Sequence, residues 1–388
     1  MFKQLRNRTP LGWLQLKHDK FRLLTALSGI AFADILIFMQ LGFMNALYTT
    51  NTQYARKIKG DVVLTSTQAT NFTQPYTFPR RRLYQAMDIP GVESAEPVYI
   101  GSFSWRNPQN KEKTSMTVIG FDPDKPAFDL PEVNNQLDRV KIPDTVLFDK
   151  ASRGEYDEVI EQIEGGKTIT TESDRTTVTI GGLFEVGASF QDDGALITSS
   201  QNFMRLFPRK QPGLVSIGLL DLAEGSDVES IKTALNAYLP EDVKAYTYDE
   251  YVEGEVQYIQ SSTAIGFVFT LGTMMGFIVG IVIVYQVLST DVNDHMAEYA
   301  TFKAMGYKNS YLLGVVFEEA IILSFIGFVP SVAIAAGLYQ LTAAATALPI
   351  VLPLSRAVTV LILTITMCGI SGAIATRKLQ SADPADIF

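Results

Sequence analysis

Two histidines, His18 and His295, and one cysteine, Cys368, are all the imidazole and thiol in the 388 residues. They lie far apart in sequence, and no Cys/His group has the spacing of a metal site. A nucleophile paired with an imidazole, the usual route to covalent catalysis, therefore has little to draw on. GGKT at 165–168 has the tail of a phosphate-binding loop. The complete loop needs glycine at position 161, where the chain has Glu161, and a helix after it, where the chain has a strand-like run. A hairpin turn is the expectation there. Asp192 and Asp193 are adjacent acids beside a glycine and read as solvated loop residues. The sequence offers no catalytic set and no metal set, and no cofactor is expected on this chain.

Chemistry of another kind sits in the apolar stretches. Four runs, 23–47, 264–288, 311–339 and 354–376, are long enough to cross a hydrocarbon core as helices, which takes about 20 residues. The first is too long for the apolar part of a signal peptide, and no small-x-small cleavage site follows it, so a retained helix is expected. Asp34 lies near its middle, where a charge is expensive and marks function by default. A proton or substrate contact would explain it, and so would a polar contact between helices. Glu318 and Glu319 lie about two turns into the third run, placed to reach the headgroups or a neighbouring helix.

Lys and Arg near the run ends set the orientation. Six precede the first run, Lys303 and Lys308 lie in the 289–310 loop, Arg377 and Lys378 follow the fourth run, and the 340–353 loop has none. Both termini and the 289–310 loop are thus expected in the cytoplasm, with 48–263 outside. That segment holds 21 basic and 32 acidic residues, a net of −11, which argues against nucleic acid as a partner. Its two ends each read strand–helix–strand. In the second such passage Val228, Ile231, Leu235 and Leu239 share one helical face. The stretch 144–207 reads as strands broken by Gly and Asp turns. The fold class expected is an α-helical membrane protein with one plus three transmembrane helices and a large external α/β domain. Its α/β lobe (48–143 and 208–263) carries an inserted strand-rich lobe (144–207).

Two cytoplasmic elements complete the outline. Within the basic tail 1–22, Thr9 and Pro10 can open a helix lying in the membrane interface, with Leu11, Leu14 and Phe21 on one face. Between the second and third runs, Asp291 or Asn293 can cap a helix reaching about Met305, with Gly306 as its C′ residue. Asp294 and Glu298 fall early and Lys303 late, which suits the helix dipole, and Tyr299 and Phe302 add aromatic surface. A short stiff rod joined to two membrane helices suits docking into a cleft on a partner.

This stretch resembles the loop of MacB/FtsX/LolC-type ABC transporter permeases, E-I-G-x-x-K-A-[IL]-G followed by a helix with E-A and then Gly. Glu298, Lys303, Ala304, Gly306, Glu319, Ala320 and Gly327 match, while Tyr299-Ala300 replaces Ile-Gly. The closing RKLQSADPADIF is similar to the family's R-x-L…D-P-x-[ED] signature, at Arg377, Leu379, Asp383, Pro384 and Asp386. The N-terminal GWLQLKHDKFRLLTALSGIAFADILIFMQLGF resembles the cyanobacterial DevC branch, associated with glycolipid export.

The resemblance implies a plasma-membrane homodimer with a separate ATPase subunit (DevA-like) carrying ATP and magnesium. It makes the 291–305 helix the coupling helix and the two external lobes porter-like and sabre-like. A periplasmic adaptor (DevB-like), a TolC-like outer-membrane channel and a membrane-lipid cargo follow from it. The family also allows an FtsX-like transmitter that switches on a cell-wall hydrolase, or LolC-like lipoprotein extraction.

Overall fold

The computed structural model describes residues 20–72, 75–173, 176–262 and 264–381. The expected interfacial helix within 1–22 falls almost wholly outside them. The chain forms two compact units. One contains 46–266 with 343–349; the other contains the rest. Helix α1, Lys20–Thr52, enters the first from the second. It runs past the apolar stretch because Thr50, Asn51 and Thr52 bond back to carbonyls four residues earlier, at 2.8 Å each.

The external unit is built on one nine-stranded sheet. In chain order its elements are β1 (Val62–Ser66), β2 (Phe78–Pro79), α2 (Arg81–Ala86), β3 (Val92–Arg106) and β4 (Lys113–Phe121). Two single-turn helices, α3 (Pro131–Asn134) and α4 (Leu137–Val140), lead to β5 (Thr145–Asp149), α5 (Asp157–Glu164), β6 (Ile169–Ser173), β7 (Thr176–Phe184) and β8 (Gly194–Ser199). Then come α6 (Ser200–Leu206), β9 (Leu214–Val215), β10 (Ile217–Leu222), α7 (Val228–Tyr238), β11 (Val243–Thr247) and α8 (Tyr248–Ser262).

Strand order in the large sheet is β11-β1-β10-β3-β4-β8-β5-β7-β6. The long strand β3 makes this one sheet. Val92–Val98 pairs with β10, and Tyr99–Arg106 pairs with β4. The stretch 144–207 does supply strands, β5 to β8, yet they extend the sheet that β1, β10 and β11 begin and share its core. Side chains alternate across the sheet as the pleat requires. Val62 and Leu64 join Val146 and Phe148 in one apolar cluster, whereas Val63 joins Leu147 and Ile197 in the other.

The face of α7 is buried as its spacing predicts, and Asp227 caps it by accepting from the Glu229 N–H. Two local expectations are corrected. GGKT is not a hairpin turn: Gly165 closes helix α5, which a strand reading of 144–207 does not foresee, and Gly166 takes a positive φ of 83°. Asp192 and Asp193 are not merely solvated. Asp192 accepts from Ser115 and Thr117 at 2.9 and 2.7 Å, and Asp193 holds Arg153 at 2.7 Å.

The membrane unit contains α9 (Ala264–Asp294), α10 (Met296–Ala304), α11 (Asn309–Thr346) and α12 (Leu354–Ser381) alongside α1. Among the described residues four helices meet the length and apolarity of membrane spans, at Leu23–Thr52, Ala264–Asp294, Leu313–Thr346 and Leu354–Thr376. On α9, Gly272, Gly276 and Gly280 lie one turn apart against α1. A Cβ at these positions would stand 2.5 Å from Gln40, 3.1 Å from Ile37 and 3.0 Å from the Ala33 Cβ. Helices in lipid approach through small residues, since apolar burial alone does not favour helix contact over lipid contact. Ala26, Ile30, Ala33, Val284, Leu288, Ala320, Leu323 and Met367 form the shared interior.

Candidate functional site

The rod between the second and third membrane helices is shorter and differently begun than its sequence suggests. α9 continues through Asp291 and Asn293 to Asp294, so neither residue caps the rod. The chain breaks at His295, whose Nδ1 lies 3.0 Å from the Asp291 carbonyl oxygen, and α10 starts at Met296. The far end is as expected. Gly306 takes φ of 89°, its N–H bonds the Lys303 carbonyl at 2.9 Å, and the Tyr307 N–H bonds the Phe302 carbonyl at 3.1 Å. This pair of bonds is a Schellman closure, which needs the left-handed residue that glycine supplies most cheaply.

The residues of the rod divide between two faces. Tyr299 is 2% exposed and packs with Val292 of α9 and Val316 of α11, so it anchors the rod and does not display itself to a partner. Phe302 is half-buried beside it, with its ring 5.6 Å from Tyr307 and 6.4 Å from Tyr311. Asp294 and Glu298 are exposed, and Lys303 is half-buried in the last turn. The Tyr299-Ala300 pair that departs from the Ile-Gly pattern is thus the buried side of the rod, where an aromatic ring does the anchoring.

A second polar group joins three membrane helices. Asp34 is fully buried on α1. Thr364 of α12 donates to its Oδ1 at 2.7 Å, and Ser331 of α11 donates to its Oδ2 at 3.1 Å. Both hydroxyls also lie within reach of carbonyls on their own helices, Val360 at 2.8 Å and Gly327 at 2.8 Å. One turn before Ser331, Gly327 lets α11 approach α1, where an added Cβ would stand 2.7 Å from Ile30. Glu319 is buried and Glu318 is half-buried on α11. Arg377 falls in the last turns of α12, while Asp383 and Pro384 lie outside the described residues.

Sequence reasoning passed over two arginines. Arg356, near the start of the fourth span, is 8% exposed. It donates to the Val351 carbonyl at 2.6 Å and stacks 5.7 Å over the Tyr339 ring, while the Tyr339 hydroxyl donates to the Phe38 carbonyl. A lone cation in an otherwise apolar run was the signal for it. Arg153 binds the end of α11 within the external unit: its Nε donates to the Thr346 carbonyl at 2.9 Å, and its other nitrogens reach Asp193 and the Ser189 carbonyl at 2.7 and 3.0 Å. Nothing in the local sequence distinguishes Arg153 from other surface arginines.

Comparison with known proteins gives two family matches. The MacB-like periplasmic core domain model matches residues 23–238, and the FtsX-like permease C-terminal model matches 265–384. Among solved structures, the periplasmic region of MacB from Actinobacillus actinomycetemcomitans shares 9% identity at a TM-score of 0.34, covering 54% of this chain and 96% of its own. The extracellular domain of the noncanonic ABC-type transporter YknZ from Gram-positive bacteria shares 13% at 0.31, covering 48% and 99%. A domain of a putative permease from Porphyromonas gingivalis shares 18% at 0.27, covering 50% and 88%. A comparison with curated protein sequences gave no match.

Proposed function

The chain belongs to the MacB/FtsX-like family of ABC transporter permeases, and from that premise we propose that it is the membrane subunit of a tripartite exporter driven by a separate ATPase. The observation that carries this reading is the rod α10. It is held from inside by Tyr299, closed by Gly306, and presents Glu298 and Asp294 outward between two membrane-spanning helices. A push on its exposed face reaches α9 and α11 through packed side chains, because packed interiors transmit displacement instead of absorbing it.

On this reading α10 and both chain ends are cytoplasmic, and each copy of a homodimer sits above one DevA-like ATPase subunit that holds ATP and magnesium. The strokes of the ATPase pair move α10, and the external domain drives a lipid-like cargo toward a DevB-like adaptor and a TolC-like channel. The DevC-like N-terminal residues support a glycolipid as that cargo. On this reading hydrolysis belongs to the partner.

Purification from native membranes in mild detergent, scored for co-purifying proteins and vanadate-sensitive ATP hydrolysis, tests the proposal. An ATPase recovered with an adaptor and an outer-membrane channel is the expected result. An ATPase recovered with a cell-wall hydrolase in their place points to transmembrane signalling, and one recovered with a lipid-accepting chaperone points to lipoprotein extraction. Recovery without any ATPase overturns the reading.

A further inference from the structure

The external unit has a cleft of about 130 Å³ between α8, the outer strands of the sheet, residues 69–71 and Pro75. Its lining mixes hydroxyl and amide groups, from Thr65, Thr70, Ser216 and Asn71, with the side chains of Ile217, Tyr246 and Tyr251. Two carboxylates also line it, and they differ in one respect. Glu250 is already engaged, by Lys232 at 2.8 Å and the Thr247 N–H at 3.1 Å. Glu255 is only 5% exposed, receives the Phe72 N–H, and has an Oε2 that accepts no hydrogen bond from the described residues. No lysine or arginine is among the described residues that line the cleft.

A buried carboxylate oxygen without a donor is costly unless it is neutralised or paired. Burial does push the Glu255 carboxyl up to about 7, and it raises the hydroxyl of Tyr251, one helical turn before it on α8, well above its ordinary value. What Glu255 lacks is a positively charged donor: the cations beside the lining are engaged elsewhere, Lys232 by Glu250 and Lys244 over the Tyr246 ring at 4.9 Å. An ammonium group supplies both charge and N–H, and aromatic rings favour cations as neighbours, as Lys244 over Tyr246 already shows at this cleft. An ammonium seated there would hold Glu255 in its ionised form.

We propose that this cleft binds a small organic amine, an ammonium group carrying an apolar substituent, with Glu255 as the charge partner and the two tyrosines beside the substituent. The proposal does not rest on the export reading, since it uses only groups within the external unit. Ile217 and the tyrosine rings offer the substituent apolar contact, and the single unpaired carboxylate oxygen selects for one donor.

The test uses the full-length chain in phosphatidylglycerol nanodiscs, with benzylamine as probe and benzyl alcohol as its neutral isostere, both followed by calorimetry. Benzylamine is expected to bind at least tenfold more tightly than the alcohol. The preference should vanish in Glu255→Gln and persist in Glu253→Gln, an exposed acid on the same helix. Equal affinity for amine and alcohol, or no binding at millimolar concentration, overturns the proposal. So does amine binding that survives Glu255→Gln, which would reflect only the acidic surface. If the Gln variant folds poorly, Glu255→Asp takes its place, keeping the charge and shortening its reach: weakened benzylamine binding supports the site, and unchanged binding assigns the preference to the acidic surface. Repeating the titration in phosphatidylethanolamine discs separates two sources of the amine: weakened benzylamine binding identifies a lipid headgroup, and unchanged binding a soluble amine.

Discussion

Glu298 and Tyr299 are neighbours in sequence and opposites in structure, so substituting each separates coupling from folding. Tyr299 is 2% exposed between α9 and α11, and truncating a buried aromatic side chain costs about 3–5 kcal/mol. Tyr299→Ala should lower the melting temperature of the membrane unit and loosen the rod. Glu298 is exposed in the first turn of α10, where its charge complements the helix dipole by about 0.3–1 kcal/mol. Glu298→Ala should therefore leave melting nearly unchanged. Its effect belongs to the partner. If the exposed face meets the ATPase, loss of one charge-assisted contact worth about 1.4 kcal/mol lowers coupled ATP turnover about tenfold. The assay is turnover of the assembled complex in nanodiscs, normalised to complex recovered, with melting followed in parallel. Turnover unchanged in Glu298→Ala refutes the docking role. A melting loss in Glu298→Ala as large as that of Tyr299→Ala refutes the division of faces.

Three further outcomes follow from the same geometry. Asp34→Ala should cost only about 1–2 kcal/mol in thermal unfolding, roughly one net hydrogen bond for each donor, because Ser331 and Thr364 can fall back on the Gly327 and Val360 carbonyls; Asp34→Asn should keep normal export, and a lost export with intact folding would make Asp34 a proton or substrate site. Arg153→Ala removes three bonds, to Thr346, Asp193 and Ser189, and should speed amide exchange in 347–353 about tenfold or more; unchanged exchange would show that other contacts hold the loop. Glu255 titrates near 7 in the folded chain against an ordinary 4.5, so the folded state binds its proton more tightly and stability falls as pH rises from 5 to 8, by up to about 3 kcal/mol; Glu255→Gln should flatten this slope in thermal melts, and an unaltered slope would assign it to other groups.

Much of this architecture is written in local pattern. Apolar length announces the four spans, short runs rich in β-branched and apolar residues announce β1 and β4, and the spacing of Ile231, Leu235 and Leu239 announces the buried face of α7. What local pattern cannot announce is how far a regular element continues once its first reason has ended. α1 continues because Thr50, Asn51 and Thr52 bond to their own helix, and α9 continues through Asp291 and Asn293, which as isolated residues read as caps. The single sheet escapes for a related reason: β3 has the residues of one long strand, but only pairing with β10 and then β4 shows that it joins what read as two lobes.

The site divides the same way. Gly306 was legible because the left-handed position it fills belongs to the local chain. Tyr299 was misread because on a helix of nine residues an aromatic side chain serves equally as anchor or as display, and only the arrival of Val292 and Val316 decides between them. That decision bears on coupling itself. A rod whose ring faced a partner would dock tightly and move loosely; with the ring turned inward and the charges outward, the proposed docking contact would be polar and replaceable while the joint to α9 and α11 is packed. The arrangement fits an element that must be pushed repeatedly without coming free of the helices it moves.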